Sequence, residues 1–143
     1  MKDIKVAKVF YSDVSDLYPE IYSEIFEHVD IKQLPSYVYL VWYKAKYVGF
    51  MSAYLHNTDE VYLQYAGFND EHKGFMAVGL FKEIIENVHK DYKGIICRIE
   101  NTNISALKVA MNAGFIIMGI RCLSQSSQIF VELIKIKEDN NNG

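Results

Sequence analysis

Asn103-Ile-Ser105-Ala106-Leu-Lys-Val-Ala110-Met-Asn-Ala-Gly114-Phe115 is the stretch on which the fold turns. Asparagine and serine oxygens cap helix N-termini, and glycine most readily adopts the left-handed backbone that stops a helix. The spacing predicts a helix over residues 105–113, halted at Gly114, with Phe115 opening an extended segment.

Upstream, residues 94–99 are short and nearly all apolar, the composition of a strand buried on both faces in a parallel pairing. Before them Phe75, Val78, Leu80, Phe81, Ile84, Ile85 and Val88 recur near a period of 3.6, which predicts a helix from Gly74 to about Lys90. Residues 60–67 are β-rich. Strand, helix and strand between Glu60 and Ile99 should therefore form a right-handed parallel crossover.

Further out, residues 37–43 and 47–56 are β-rich runs joined by a tight Lys44-Ala45-Lys46 turn, and Asn57-Thr58-Asp59 makes a second turn. Three consecutive antiparallel strands result. Residues 5–11 alternate as a strand. Ser12 or Asp13 can cap a helix whose buried stripe is Leu17, Ile21, Ile25 and Val29, started or kinked at Pro19. At the other end, residues 115–123 and 129–136 predict a hairpin around residues 124–127, followed by a disordered tail over 138–143. The order β α (α) β β β α β α β β describes one mixed α/β domain over residues 1–137.

The composition supports a single packed domain. Of 143 residues, 50% are apolar and 14% aromatic, enough for a core without disulfides. Fifteen basic against eighteen acidic residues leave a net charge of −3, which argues against nucleic acid as the main partner. Cys97 and Cys122 have no metal spacing and read as reduced core thiols. Met1-Lys2-Asp3-Ile4 does not resemble a signal peptide. No apolar run reaches the roughly 18 residues of a membrane span. A soluble, cytoplasmic protein without a membrane partner is the expectation.

The element order, together with Asn103-x-x-Ala106 and Gly114-Phe115 eight residues later, resembles the GNAT superfamily of N-acetyltransferases over about residues 4–136. The resemblance implies a mixed, mostly antiparallel central sheet with a parallel β-α-β core and flanking helices. It also implies acetyl-coenzyme A as acyl donor, and transfer of its acetyl group by direct attack from an amine of a small molecule, peptide or protein. The family's carrier loop, Arg/Gln-x-x-Gly-x-Gly/Ala after a strand ending Val-x-Pro, aligns with residues 66–77. Gly74 matches. Glu71 stands where Arg or Gln is usual, Met76 where a small residue is usual, and Phe68 where proline is usual.

By this resemblance, backbone groups around Tyr65, Ala66 and Phe68 hold the carrier's pantetheine arm as an added strand. An N–H near Ala66 then polarises the thioester carbonyl. His72, Lys73, Gly74, Phe75, Met76 and Ala77 form the helix entry that receives the pyrophosphate, with most donors supplied by the backbone. Asn103 bonds the carrier, caps its helix, or does both.

Catalytic groups are sparser. Glu60 lies six residues before Ala66, where some family members place a catalytic glutamate. A period of two puts Glu60, Tyr62, Gln64 and Ala66 on one face, and the bland alternative is an exposed residue at a strand start. Ala110 occupies the position of the family's proton-donating tyrosine, which leaves Ser105 as acid or as a plain capping hydroxyl. Tyr18, Tyr22, Tyr37, Tyr39, Tyr54 and Tyr62 either line an acceptor cleft or fill the sheet core. His28, His56 and His89 read as surface or capping residues, and Cys122 has no neighbouring His or Asp to activate it. The alternative function is a catalytically impaired GNAT-fold module that binds coenzyme A or a protein. The apolar run 129–136 offers a strand for a homodimer.

Overall fold

Tyr37–Tyr43 (β2) and Lys46–Leu55 (β3) are joined by Lys44 and Ala45, both in the left-handed region at φ +50° and +63°. Two such residues in succession give the tight turn whose twist matches antiparallel strands. This is a computed structural model, and it describes residues 3–25, 34–69, 75–122 and 127–138. The remaining elements are β1 (Ile4–Phe10), α1 (Tyr11–Val14), α2 (Tyr18–Ile25), β4 (Glu60–Phe68), α3 (Phe75–Val88), β5 (Gly94–Glu100), α4 (Ile104–Asn112), β6 (Ile116–Cys122) and β7 (Ile129–Ile136). They build one mixed sheet in the order β1-β2-β3-β4-β5-β7-β6. Among the described residues only β4 and β5 run parallel, as the crossover predicts.

The two faces of this sheet carry separate clusters. On one face Leu80, Ile84, Ile85 and Val88 of α3 pack with Ala110 and Phe115 against Val41, Met51, Val61, Ile95 and Leu133. On the other face Tyr18 and Tyr22 of α2 pack against Val38 and Phe50. Alternation along each strand serves both faces at once.

Helix α4 shows why the Asn103 and Gly114 spacing matters. Asn103 is its N-cap, with Oδ1 accepting from the Ala106 N–H at 3.2 Å. At the other end Gly114 sits at φ +99°, its N–H donates to Met111 O at 3.0 Å, and the Phe115 N–H donates to Ala110 O at 3.1 Å. This pair of bonds around a left-handed glycine satisfies carbonyls that the helix end would otherwise orphan. It also turns Phe115 into the core, where its ring lies 6.0 Å from that of Phe81.

Several expectations change. The helix stops after Val14 and restarts at Tyr18, which resets the helical phase: Tyr18 and Tyr22 are buried, and Leu17 is 55% exposed rather than part of the buried stripe. Pro19 falls in the first turn of α2, where a missing N–H costs nothing. The side chain of Ile25 and all of Val29 lie outside what is described. Cys122 is exposed on β6, so only Cys97 is a core thiol. His89 is buried rather than superficial, with Nδ1 3.1 Å from the Tyr92 carbonyl, and burial holds its pKa below the ordinary 6.5. Strand β7 pairs with β5 on one side and β6 on the other, so the edge at this end of the sheet is β6, not residues 129–136. The hairpin tip at 123–126 and the tail from 139 lie outside the described residues.

Candidate functional site

Strands β4 and β5 pair only from Glu60↔Gly94 to Leu63↔Cys97. Past that point β5 continues through residues 98–100 on β7, while β4 continues to Phe68 on β3. The parallel strands thus fork, and the fork encloses a cleft of about 610 Å³. Residues 63–68 form one wall and Cys97, Arg98 and Ile99 the other. Ala77 and Phe81 of α3, Ala106, Val109 and Ala110 of α4, and the cap residues Asn103 and Ser105 complete the lining.

Strand β4 carries an irregularity that shapes this wall. Ser52 and Ala53 are consecutive on β3 but pair with Tyr65 and Leu63, so Gln64 is an extra residue, a β-bulge. A bulge reverses the alternation beyond it. Val61 and Leu63 pack into the α3-side cluster, and so do Ala66 and Phe68, while Tyr65 joins the α2-side cluster. The expectation that Glu60, Tyr62, Gln64 and Ala66 share one face is therefore corrected: Glu60 and Tyr62 face opposite to Ala66.

Glu60 itself stands at the foot of β4. Its Oε1 accepts from Asn57 Nδ2 at 2.6 Å, and its Cγ lies 3.0 Å from where a Cβ on Gly94 would be. Six strand residues separate it from Ala66, about 20 Å at strand rise. It is not among the residues lining the cleft. Ser105 does line the cleft, and its Oγ donates to Asn103 Oδ1 at 3.2 Å, so capping occupies both side chains. Tyr65, Ala66, Phe68, Ala77 and Asn103 are brought together in the lining. Met76 packs against the α3-side core rather than lining the cleft. Phe75 opens α3, and Glu71, His72, Lys73 and Gly74 lie outside the described residues.

Ala110 both lines the cleft and is 2% exposed within the core. Cys97 is pushed up to about 12 by burial and stays a neutral thiol near neutral pH.

A further cluster escaped sequence reasoning. Arg98 pairs across strands with Glu132, at 3.7 Å from Nε to Oε2, and Arg121 Nε approaches the other carboxylate oxygen at 3.8 Å. The Arg98 guanidinium lies 5.2 Å from the centre of the Tyr62 ring, which stacks on Tyr54 at 4.9 Å and 16°. Burial raises the Tyr62 hydroxyl above its ordinary pKa, against the opposing pull of Arg98. These residues meet through the registers that join β3, β4, β5, β7 and β6, which no local sequence signal carries.

No protein-family model matches the sequence, and no curated protein matches it. Solved structures do. A GNAT family acetyltransferase from Elizabethkingia anophelis with acetyl-CoA bound superposes with a TM-score of 0.66 at 13% identity, covering 96% of this chain and 100% of that one. The ribosomal-protein-S18-alanine N-acetyltransferase from Escherichia coli gives 0.68 at 12% identity, covering 98% of each chain. A variant of the spermidine N-acetyltransferase SpeG from Vibrio cholerae gives 0.67 at 11% identity, covering 95% of each. Likeness at such identities is a likeness of backbone path, and it covers at least 95% of this chain in each of the three. The chain has the GNAT fold.

Proposed function

We propose that this chain is an N-acetyltransferase that moves an acetyl group from acetyl-coenzyme A to an amine. The observation that carries the reading is the fork after Leu63 and Cys97. Residues 66–68 stay paired with β3 on one side, beyond the point where the β4–β5 ladder ends on the other. An unpaired strand edge accepts an extended chain bearing amides, by the same hydrogen bonds that join strands. A pantetheine arm is such a chain, and Ala77, Phe81, Val109 and Ala110 give it an apolar wall. Structural neighbours described as acetyl-CoA-bound, or as N-acetyltransferases of a ribosomal-protein alanine or of spermidine, support the same assignment.

In this reading the acceptor's neutral nitrogen attacks the thioester carbonyl, the C–N bond forms and the C–S bond breaks. A backbone N–H near Ala66 stabilises the charge that develops on oxygen. The carrier leaves as a thiolate and takes a proton from solvent, and the amine's proton passes to solvent. No carboxylate lines the cleft among the described residues. Glu60 would therefore act only through intervening water, and a Glu60→Gln variant with an unchanged pH–rate profile would remove it. Asn103 and Ser105 contribute by holding the helix end that closes the cleft. The carrier-loop roles of His72, Lys73 and Gly74 belong to the same proposal.

Ala110 favours a second reading, a GNAT-fold protein that binds coenzyme A or a protein partner without catalysis, because alanine has no proton to give. Calorimetric titration of acetyl-coenzyme A with thiol release over a panel of amines separates the two. Binding with release is expected. Binding without release favours the second reading, and no binding at millimolar carrier overturns both.

We place the protein in the cytoplasm as a homodimer. Supporting the dimer, edge strand β6 exposes Ile116, Ile117, Met118 and Ile120, apolar residues on both of its faces. Among the described residues no helix is long and apolar enough to cross a membrane. Light scattering tests the dimer, and Ile120→Lys should shift it to monomer.

A further inference from the structure

We infer that the acceptor is an amino-carboxylate, a molecule whose reacting amine lies a few bonds from a carboxylate, and that Arg98 is the residue that selects it. The inference rests on the acetyl-transfer reading and adds the class of acceptor.

Arg98 is the first residue of β5 past the last parallel pair, and it lines the cleft at the apex of the fork. It is the only Asp, Glu, Lys or Arg that lines the cleft among the described residues. Its neighbours Cys97 and Ile99 pack into the α3-side cluster. Alternation therefore sends the guanidinium to the opposite face, where it meets Tyr62. A carrier whose phosphates sit at the start of α3 enters from the helix face. Arg98 waits on the other side, where the acceptor must approach.

The group is also prepared for a ligand. Its plane rests near the Tyr62 ring, itself stacked on Tyr54, and Glu132 holds its Nε end. The 3.7 Å separation is an ion pair longer than a hydrogen bond, and the guanidinium makes no hydrogen bond among the described residues. Its donors are thus oriented but unspent, in a geometry that suits the two oxygens of a carboxylate. Two guanidinium groups, Arg98 and Arg121, share the single carboxylate of Glu132, which leaves the apex positive. A positive apex attracts a carboxylate and repels the second ammonium of a polyamine.

A bracing role alone would make Arg98 and Arg121 equivalent, since both pair with Glu132. Only Arg98 lines the cleft, and Arg121 points from the exposed β6 strand. That difference gives the test its control.

The chain is loaded with acetyl-coenzyme A, and thiol release is measured with matched acceptors: phenylalanine against phenethylamine, tyrosine against tyramine, and spermidine alone. Wild type should favour the acids by about 10-fold or more in kcat/KM. Arg98→Gln should lower the acids by about 10- to 100-fold, the size of a lost charge-assisted hydrogen bond, and leave the plain amines near their wild-type values. Arg98→Lys should recover part of the loss, and Arg121→Gln should leave the ratio unchanged. Thermal unfolding of each variant monitors folding. Acceptor binding to the coenzyme A-loaded protein, followed by calorimetry, supplies a readout that needs no turnover. Equal use of acids and amines overturns the inference, as does a variant that loses both together, or a loaded protein that binds no acid. Failure to bind acetyl-coenzyme A at all, seen in the carrier titration before any acceptor is added, overturns the acetyl-transfer reading instead.

Discussion

Leu63 and Cys97 are the last residues that β4 and β5 share as partners, and Cys97 lies buried where the strands begin to part. Burial alone lifts its thiol to about 12, while Cys122 is exposed on β6. Iodoacetamide at pH 8 should therefore modify the folded protein at Cys122 only, with Cys97 reacting after denaturation. Mass spectrometry of tryptic peptides reads the result. Rapid labelling of Cys97 in the folded protein would show that the fork closes less tightly over it than described.

Ala110 invites an obvious repair, and the structure predicts that it fails. A tyrosine there has no room in the core and one outlet, the cleft that Ala110 lines. Ala110→Tyr should weaken carrier binding by roughly 10-fold or more and cost about 1–3 kcal/mol of stability from overpacking. Calorimetry and urea unfolding measure these. A faster thiol release in the variant would mean that the position lacked only an acid.

His89 gives the protein an acid-side weakness. Burial lowers its folded pKa below the 6.5 that it has when unfolded. Between those values the unfolded chain binds more protons, so stability falls as pH drops from about 6.5 through the folded value. Melting temperature against pH should show that decline in wild type and a shallower one in His89→Gln. Parallel curves would remove His89 as its source.

Two turns carry opposite predictions. Gly114→Ala places a side chain at φ +99°, with its Cβ 3.3 Å from Lys135 Cε, and should cost about 1–2 kcal/mol. Ala45→Gly relieves a residue already at φ +63°. The relief exceeds the added freedom of the unfolded chain, for a net gain of about 0.5 kcal/mol. Differential scanning calorimetry should show the two variants moving to either side of wild type.

What was legible followed the range of the interactions involved. The Asn103 cap, the Gly114 stop and the period of α3 are local, and they could be read directly. The break between α1 and α2 was missed because Leu17 fits the apolar spacing that Tyr18 in fact occupies. The insertion of β7 beside β5, and the meeting of Arg98 with Glu132, depend on pairings between residues 30 or more apart in the chain. Nothing near Arg98 in sequence announces its partner. Glu60 and Ala66 were assigned to one face by counting, and Gln64 upset the count.

That extra residue works as a phase shift. Upstream of Gln64, the odd-numbered Val61 and Leu63 look toward α3, and Tyr62 takes the opposite face against Tyr54. Downstream, even-numbered ones such as Ala66 and Phe68 look toward α3. One strand is thereby read in two frames, odd-numbered residues facing α3 before the bulge and even-numbered ones after it. Chain length between Leu63 and Tyr65 then matters more than which residue fills it. A deletion of Gln64 would restore a single frame and send Tyr65, Ala66 and Phe68 each to the opposite face of the sheet.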